Sequence, residues 1–349
     1  MKSNIKEYEA EKLNKILLQW GVEKYRVKQI LDWVWRKKAT SFDEMLNLPS
    51  VLRNKLKQAF LIKNGEIVKK LKSYDGTIKY LIKFENAYVE SVFLPDIEDE
   101  KKATLCLSVQ AGCPVGCEFC ATGKLGFQRN LNASEIVEQV FIIEKDAGTK
   151  SWNIVLMGMG EPLLNYENVV KAIKFLGDEK YLNISYRKIT LSTVGIAEKI
   201  IDMANNEKIK CRLSLSLHFT DDDIRKKYIP IAKKYSIKEL IDACKYFSEK
   251  KKKYVTIEYI LFSKLNTSKK DALKLAVLCK GWKSRVNLIP YNEIGHHRFK
   301  KPSKQEISGF SLLLRKKGIN ATIRKERGID IMAACGQLSG KRKKSGSKI

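Results

Sequence analysis

The chain has 349 residues and 44% hydrophobic content, enough for a substantial core in one large α/β domain or two smaller ones. Its net charge of +28, with a pI near 9.6, points to a polyanionic partner such as nucleic acid; composition alone would raise Glu along with Lys, yet Asp plus Glu reach only 39 against 67 basic residues. No apolar run attains the roughly 18 residues that span a bilayer, and MKSNIKEYEAEKLNK lacks the apolar stretch of a signal peptide, so a cytoplasmic setting with reduced thiols is expected.

Residues 6 to 61 carry a helical period. EYEAEKLNKILLQWG predicts one helix ending at Gly21, and YRVKQILDWVWRKK predicts a second. Ser41 with Glu44 forms a capping-box pattern, and a third helix is expected over Pro49 to Phe60. Residues 1–62 thus read as a small basic helical module, suited to RNA contact or to packing. From Gly65 the period becomes two: EIVKKLKSY, TIKYLIKF and AYVESVFL predict hairpin strands within 63–103, with Asp75-Gly76 making the tight turn.

Beyond residue 103 strand and helix alternate. Strands are expected at 104–110, 153–159, 188–193, 211–217, 254–261 and 285–290, with helices such as 134–148 and 238–250 between them. Six βα units with nearly continuous apolar strands over 104–300 predict a parallel sheet, curled or closed, with functional residues at the C-terminal strand ends. Residues 301–349 form an extension ending in the basic tail GKRKKSGSKI, which reads as disordered.

The stretch CLSVQAGCPVGCEFC, 106 to 120, holds four of the eight cysteines, with Cys113, Cys117 and Cys120 spaced C-x3-C-x2-C. A closed structural zinc site asks for four N or S ligands, usually in two separated pairs. No second C-x2-C exists, and the histidines, His218, His296 and His297, are remote in sequence. Three thiolates on a cubane with one open iron fit better. With Phe119 before the last cysteine, the run matches the radical S-adenosylmethionine signature. MGMGEP follows the next strand; its glycines would admit a ligand to the backbone, and the Glu161 carboxylate could pair with a ligand amine. Cys211, Cys244 and Cys279 lie in apolar strand or helix contexts and read as small core residues. Cys335, in RKERGIDIMAACGQLSG, has small neighbours that leave its sulfur approachable.

Across nearly the whole chain these motifs resemble the RlmN/Cfr family of radical S-adenosylmethionine RNA methyltransferases: VESVFLPD, CLSVQAGCPVGCEFCATGKLGFQRNL, GMGEPL, ITLSTVGI, SLSLH, NLIPYN and RGIDIMAACGQL. Pro162 and the RKERGIDI context favour the branch that methylates adenine C2 over the C8 branch. The resemblance implies an α/β fold, a partial (β/α)6 TIM-like radical S-adenosylmethionine barrel with an N-terminal helical accessory domain and a β-hairpin region. It implies a [4Fe–4S] cluster on Cys113, Cys117 and Cys120. Gly160, Glu161, Ser192, Ser216, Leu217, His218 and Asn292 would contact S-adenosylmethionine, two molecules of which serve each turnover. Cys335 would carry the methyl group, Cys106 would resolve it through a disulfide, and Glu90 would accept the proton. The loop IEDEKK between Glu90 and Cys106 is longer than the family pattern and loosens the placement of Glu90. The implied partners are 23S rRNA and tRNA, with an electron donor such as flavodoxin or ferredoxin, for a cytoplasmic monomer.

The basic runs Lys250 to Lys253 and His296 to Lys301 are RNA-contact candidates, though residue by residue a solvated face is the first reading of each. Two other readings compete. A non-catalytic RNA-binding protein with a structural metal would be colourless, and a radical enzyme for small molecules would leave the charge without a purpose.

Overall fold

The period-two segments after Gly65 pair antiparallel, in the order the hairpin signals require. Strands β1 (Glu66–Lys72), β2 (Ile78–Phe84) and β3 (Ala87–Pro95) form a meander that continues into β4 (Ala103–Cys106). At the first turn Gly76 adopts φ +82, and the Asp75 carboxylate accepts the Thr77 N–H at 2.8 Å. This computed structural model describes residues 2–96, 98–99, 102–295 and 298–340.

From β4 onward every pairing in the main sheet is parallel: β5 (Asn153–Leu156), β6 (Ile189–Thr193), β7 (Arg212–Ser216), β8 (Val255–Leu261), β9 (Ser284–Pro290) and β10 (Ala321–Ile323) follow in spatial as in chain order. The expected curled parallel sheet is present, and the hairpin strands extend it into one ten-stranded sheet. Helices such as Ala133–Ala147 and Ile237–Lys251 occupy the predicted intervals, each opened by a capping box. Among the described residues no helix is long and apolar enough to cross a membrane.

Two elements differ from expectation. The strand predicted over 104–110 stops at Cys106; Gln110–Gly112 pairs instead with Phe127–Asn130 in a separate ribbon. Polar side chains turned inward cause the break. The Ser108 hydroxyl donates to the Glu90 carbonyl at 2.5 Å, and the buried Gln139 amide brackets Ser108 from both sides. The parallel array also gains a seventh strand, β10, inside the predicted extension.

The N-terminal module has its predicted helices at Ala10–Gln19, Lys24–Leu31 and Ser50–Ala59, with a wider turn over Asp32–Arg36. It is fastened to the barrel helices. Trp35, 1% exposed, packs at a tilt against Phe175 with ring centroids 4.5 Å apart, and Lys6 pairs with Glu138 at 2.5 Å in the buried seam.

Candidate active site

The three cysteines of C-x3-C-x2-C lie beyond the small ribbon, on a loop facing the C-terminal ends of the parallel strands. Phe119, Phe219, Tyr228, Phe262, Tyr291 and Phe299 form a separate apolar cluster against which all three pack. Within the loop the Cys113 N–H donates to Gly126 O at 2.8 Å and the Cys120 N–H to Cys117 O at 3.2 Å; the Glu118 N–H reaches Tyr228 O at 3.1 Å. Burial pushes the Cys113 thiol up to about 12 and raises Cys117 and Cys120 as well, and the charges of Cys120 and Cys113 add to the rise at Cys117.

The residues expected to meet S-adenosylmethionine share that end of the sheet. Glu161, 4% exposed, accepts from the Thr193 hydroxyl at 2.6 Å and from the N–H groups of Val194 at 2.8 Å and Leu163 at 3.0 Å. Burial raises its pKa, and those donors oppose the rise. The close approach allowed by the glycines is to the chain itself: a Cβ on Gly158 would meet Leu107 at 2.7 Å, and one on Gly160, at φ +102, would meet Gln110 at 2.5 Å. Ser192 and Ser216 face each other, hydroxyl to hydroxyl, at 3.2 Å. Leu217 is fully buried. His218 adopts φ +61, accepts the Ile260 N–H at Nδ1 at 3.2 Å, and lies edge-on to Phe119 with centroids 5.4 Å apart. Burial, then the nearby Arg225 charge, takes His218 down to about 3, so it is neutral with its proton on Nε2.

Asn292 joins this end to the methyl-carrier candidate. Its amide donates to the Cys335 carbonyl at 3.2 Å, while its Oδ1 is buried without a partner. A cavity of about 500 Å³ brings Cys106, Cys335 and Cys120 together with Arg324, Met157 and Asn292. Residues from far apart in the chain thus converge at a volume ordinary for small-molecule sites. Burial, then the Cys335 charge, pushes the Cys106 thiol up to about 12, and Arg324 works against that rise. The Arg324 pKa is in turn raised, most by Cys335.

Glu90 is not in the cavity wall. It is 6% exposed, 3.3 Å from Lys79 Nζ, and accepts the Ser339 N–H at 2.7 Å. Lys79 also donates to Met332 O at 2.9 Å. The C-terminal segment therefore covers the carboxylate.

His296, His297 and tail residues 341–349 lie outside the described residues, as do Ile97, Glu100 and Lys101 of the long loop. Lys250 is exposed; Lys251 donates to Asn206 O and Lys253 bonds to Lys210 O. Sequence reasoning missed Lys79, Arg225 and Arg324. Of these only Arg324 carried a signal, its place in the RKERGIDI motif.

The residues present fit an iron–sulfur cluster. Three thiols that burial holds protonated, and a fully buried Arg225 nitrogen without an acceptor, ask for the thiolates and negative charge such a group would bring. Among the described residues no three His, Cys, Asp or Glu side chains converge on a single ion. A cluster in which each thiolate takes its own iron asks for a wider spacing than one ion does.

The Radical SAM superfamily model matches residues 107–276, and the model of the ribosomal RNA large subunit methyltransferase N-terminal domain matches residues 3–62. A protein of Pseudothermotoga lettingae is 48% identical over 96% of this chain and 97% of its own length. One from Thermotoga neapolitana is 46% identical over 98% and 99%. Both bear the name Probable dual-specificity RNA methyltransferase RlmN. A crystal structure of a radical SAM methyltransferase from Sphaerobacter thermophilus superposes with a TM-score of 0.91 at 38% identity, covering 97% of this chain and all of that one.

Proposed function

The chain belongs to the RlmN family of radical S-adenosylmethionine RNA methyltransferases, and from that premise we propose that it methylates C2 of adenine in 23S rRNA, at the peptidyl transferase centre, and in tRNA, at the adenosine 3′ of the anticodon. Its cofactors are a [4Fe–4S] cluster and S-adenosylmethionine. When bound, with the cluster on Cys113, Cys117 and Cys120, they supply carbon-radical chemistry, which a ring carbon without a lone pair requires.

The observation that carries the reading is the meeting of Cys106 and Cys335 at one cavity beside Cys120 and Arg324. Cys335 is the nucleophile that takes a methyl group onto sulfur, and Arg324 lines the same cavity. Cys106, held as a thiol by burial, stays silent during that loading, so one sulfur of the two is methylated. After transfer to the base, the Cys106 sulfur gives up its proton and bonds to the Cys335 sulfur; the bond between Cys335 and the new carbon breaks with its electron pair left on carbon, which takes up a proton and becomes the methyl group. The two sulfurs end as a disulfide, which an external reductant must reopen. Glu90 takes the C2 proton as general base. Its carboxylate is held by Lys79 and the Ser339 N–H, so that role requires residues 338–340 to shift.

Glu161, Ser192, Ser216, Leu217, His218, Asn292 and Gly160 hold S-adenosylmethionine in this reading, with the neutral His218 Nε2–H as a donor. The +28 charge supports RNA as the macromolecular substrate. We place the enzyme in the cytoplasm as a monomer served by flavodoxin or ferredoxin. Mass spectrometry of nucleosides from RNA treated with the holoenzyme tests the assignment. 2-Methyladenosine is expected; 8-methyladenosine would move the chain to the other branch, and unmodified RNA would overturn the reading.

A further inference from the structure

Arg225 is among the largest fully buried side chains, at 0% exposure in the helix Asp222–Tyr228. Its Nε donates to Leu217 O at 3.1 Å and its Nη2 to Val194 O at 2.6 Å. These two carbonyls lie in the loops after β7 and β6. Its Nη1 is buried without any acceptor. No carboxylate among the described residues pairs with it; Asp222, on the same helix, spends an oxygen on the Ile237 N–H at 2.8 Å. A guanidinium buried without a counter-charge costs several kcal/mol. Burial takes its pKa down to about 10, and Cys117 is the foremost group acting the other way.

A cluster on three cysteines would supply the missing charge. Three thiolates outweigh a doubly positive cubane core by one negative charge, and one-electron reduction raises the excess to two. Net charge and hydrogen bonds to sulfur are among the main determinants of such a cluster's potential. The geometry points to Arg225 as the buried counter-cation of the iron–sulfur site: its helix ends at Tyr228, whose carbonyl takes the Glu118 N–H of the cysteine loop at 3.1 Å, and its unpartnered Nη1 is a donor that makes the cluster easier to reduce. This rests on Cys113, Cys117 and Cys120 being the ligands. Arg225 acts on the cluster electrostatically and, through its two carbonyl bonds, spaces the loops that flank it.

The test is a redox titration of anaerobically reconstituted holoenzyme, wild type against Arg225→Gln and Arg225→Lys, with iron content measured in each. The glutamine variant should keep its iron and lose at least tenfold in the equilibrium constant for reduction, a fall of 59 mV or more for one electron. The lysine variant, which keeps the charge without the fork, should lose less than threefold. A purely structural brace would lower thermal stability in both and leave both potentials at the wild-type value, which overturns the proposal. Should the glutamine variant not fold, wild-type holoenzyme carrying guanidino-15N arginine decides. Pulsed EPR of its reduced cluster should show a weak 15N coupling that Arg225→Lys removes, and no coupling in wild type refutes the contact. Full iron in Cys117→Ala would instead sink the ligand assignment beneath it.

Discussion

Two stretches meet at the cavity and are held in opposite ways. Residues 113–120 fold on themselves and on a wall of aromatic rings, with main-chain bonds to near neighbours and to Tyr228. Residues 328–340 contain no helix or strand. Bonds to remote parts of the chain hold them: Gly328 N–H to Asp75, Asp330 to the Ser73 hydroxyl, Met332 O to Lys79, Gly336 O to the Ala121 N–H, Gln337 to Glu293 O and Ser339 N–H to Glu90. Each such bond is worth about 1 kcal/mol net, and Ala333 and Leu338 add burial in the main core, so the strap is tied at several separate points. A rigid cradle suits a cluster. A strap tied at separate points would suit a cysteine that, in the proposed function, visits a methyl donor, a base and a second sulfur in turn.

The comparison breaks most completely if the cradle tolerates damage. Cys113→Ala, Cys117→Ala and Cys120→Ala should each abolish S-adenosylmethionine cleavage and deplete iron, because no other thiol lies in the loop to substitute; iron assay and cleavage assay check this. On the strap side, Lys79→Met leaves the buried Glu90 carboxylate without its cation and cuts the bond to Met332. A loss of about 3–5 kcal/mol is expected in denaturant unfolding; a loss under 1 kcal/mol would show that the pair holds nothing.

Glu161→Ala sharpens the contrast from the cradle side. It should weaken S-adenosylmethionine binding by at least tenfold, read by calorimetry, while iron stays in place, since in the proposed site the carboxylate serves the ligand and not the metal. Asp75→Asn is the mildest change. Burial pushes the Asp75 carboxyl up, but Thr77, the Gly328 N–H and Arg327 bring it down to about 2. A depressed carboxyl stabilises the fold above its unfolded value near 3.8, and that contribution fades as pH falls towards about 2. The variant should lose on the order of 1 kcal/mol at neutral pH, with the deficit shrinking in acid; an unchanged melting profile from pH 7 to 3 would contradict the tie.

The cysteine loop was legible because its proposed ligands are local: three cysteines in eight residues need no fold to be read together. The parallel order was legible too, from the alternation of apolar runs with helical periods. The break at Ser108 was hidden inside LCLSVQ, whose apolar rhythm continues through it and whose cause, the Gln139 amide, lies on a later helix. Lys79 and Arg225 were hidden differently. Among 67 basic residues, TIKYLIKF and DIRKKY do not say which cation turns inward. Burial decided that, and burial is a property of the assembled sheet. The segment Ala321–Ile323 was too short to carry a period of its own.

The central claim is that Cys335 carries the methyl group and Cys106 resolves it, and a denaturing gel after reaction with substrate RNA tests it most directly. Cys335→Ala should leave both protein and RNA unmethylated. Cys106→Ala should load, activate and transfer the methyl, then stall with Cys335 bonded through the new carbon to adenine. The prediction is a protein band shifted by covalently attached RNA in Cys106→Ala alone. Normal turnover by Cys106→Ala, or the same adduct from Cys335→Ala, would contradict the two-cysteine account.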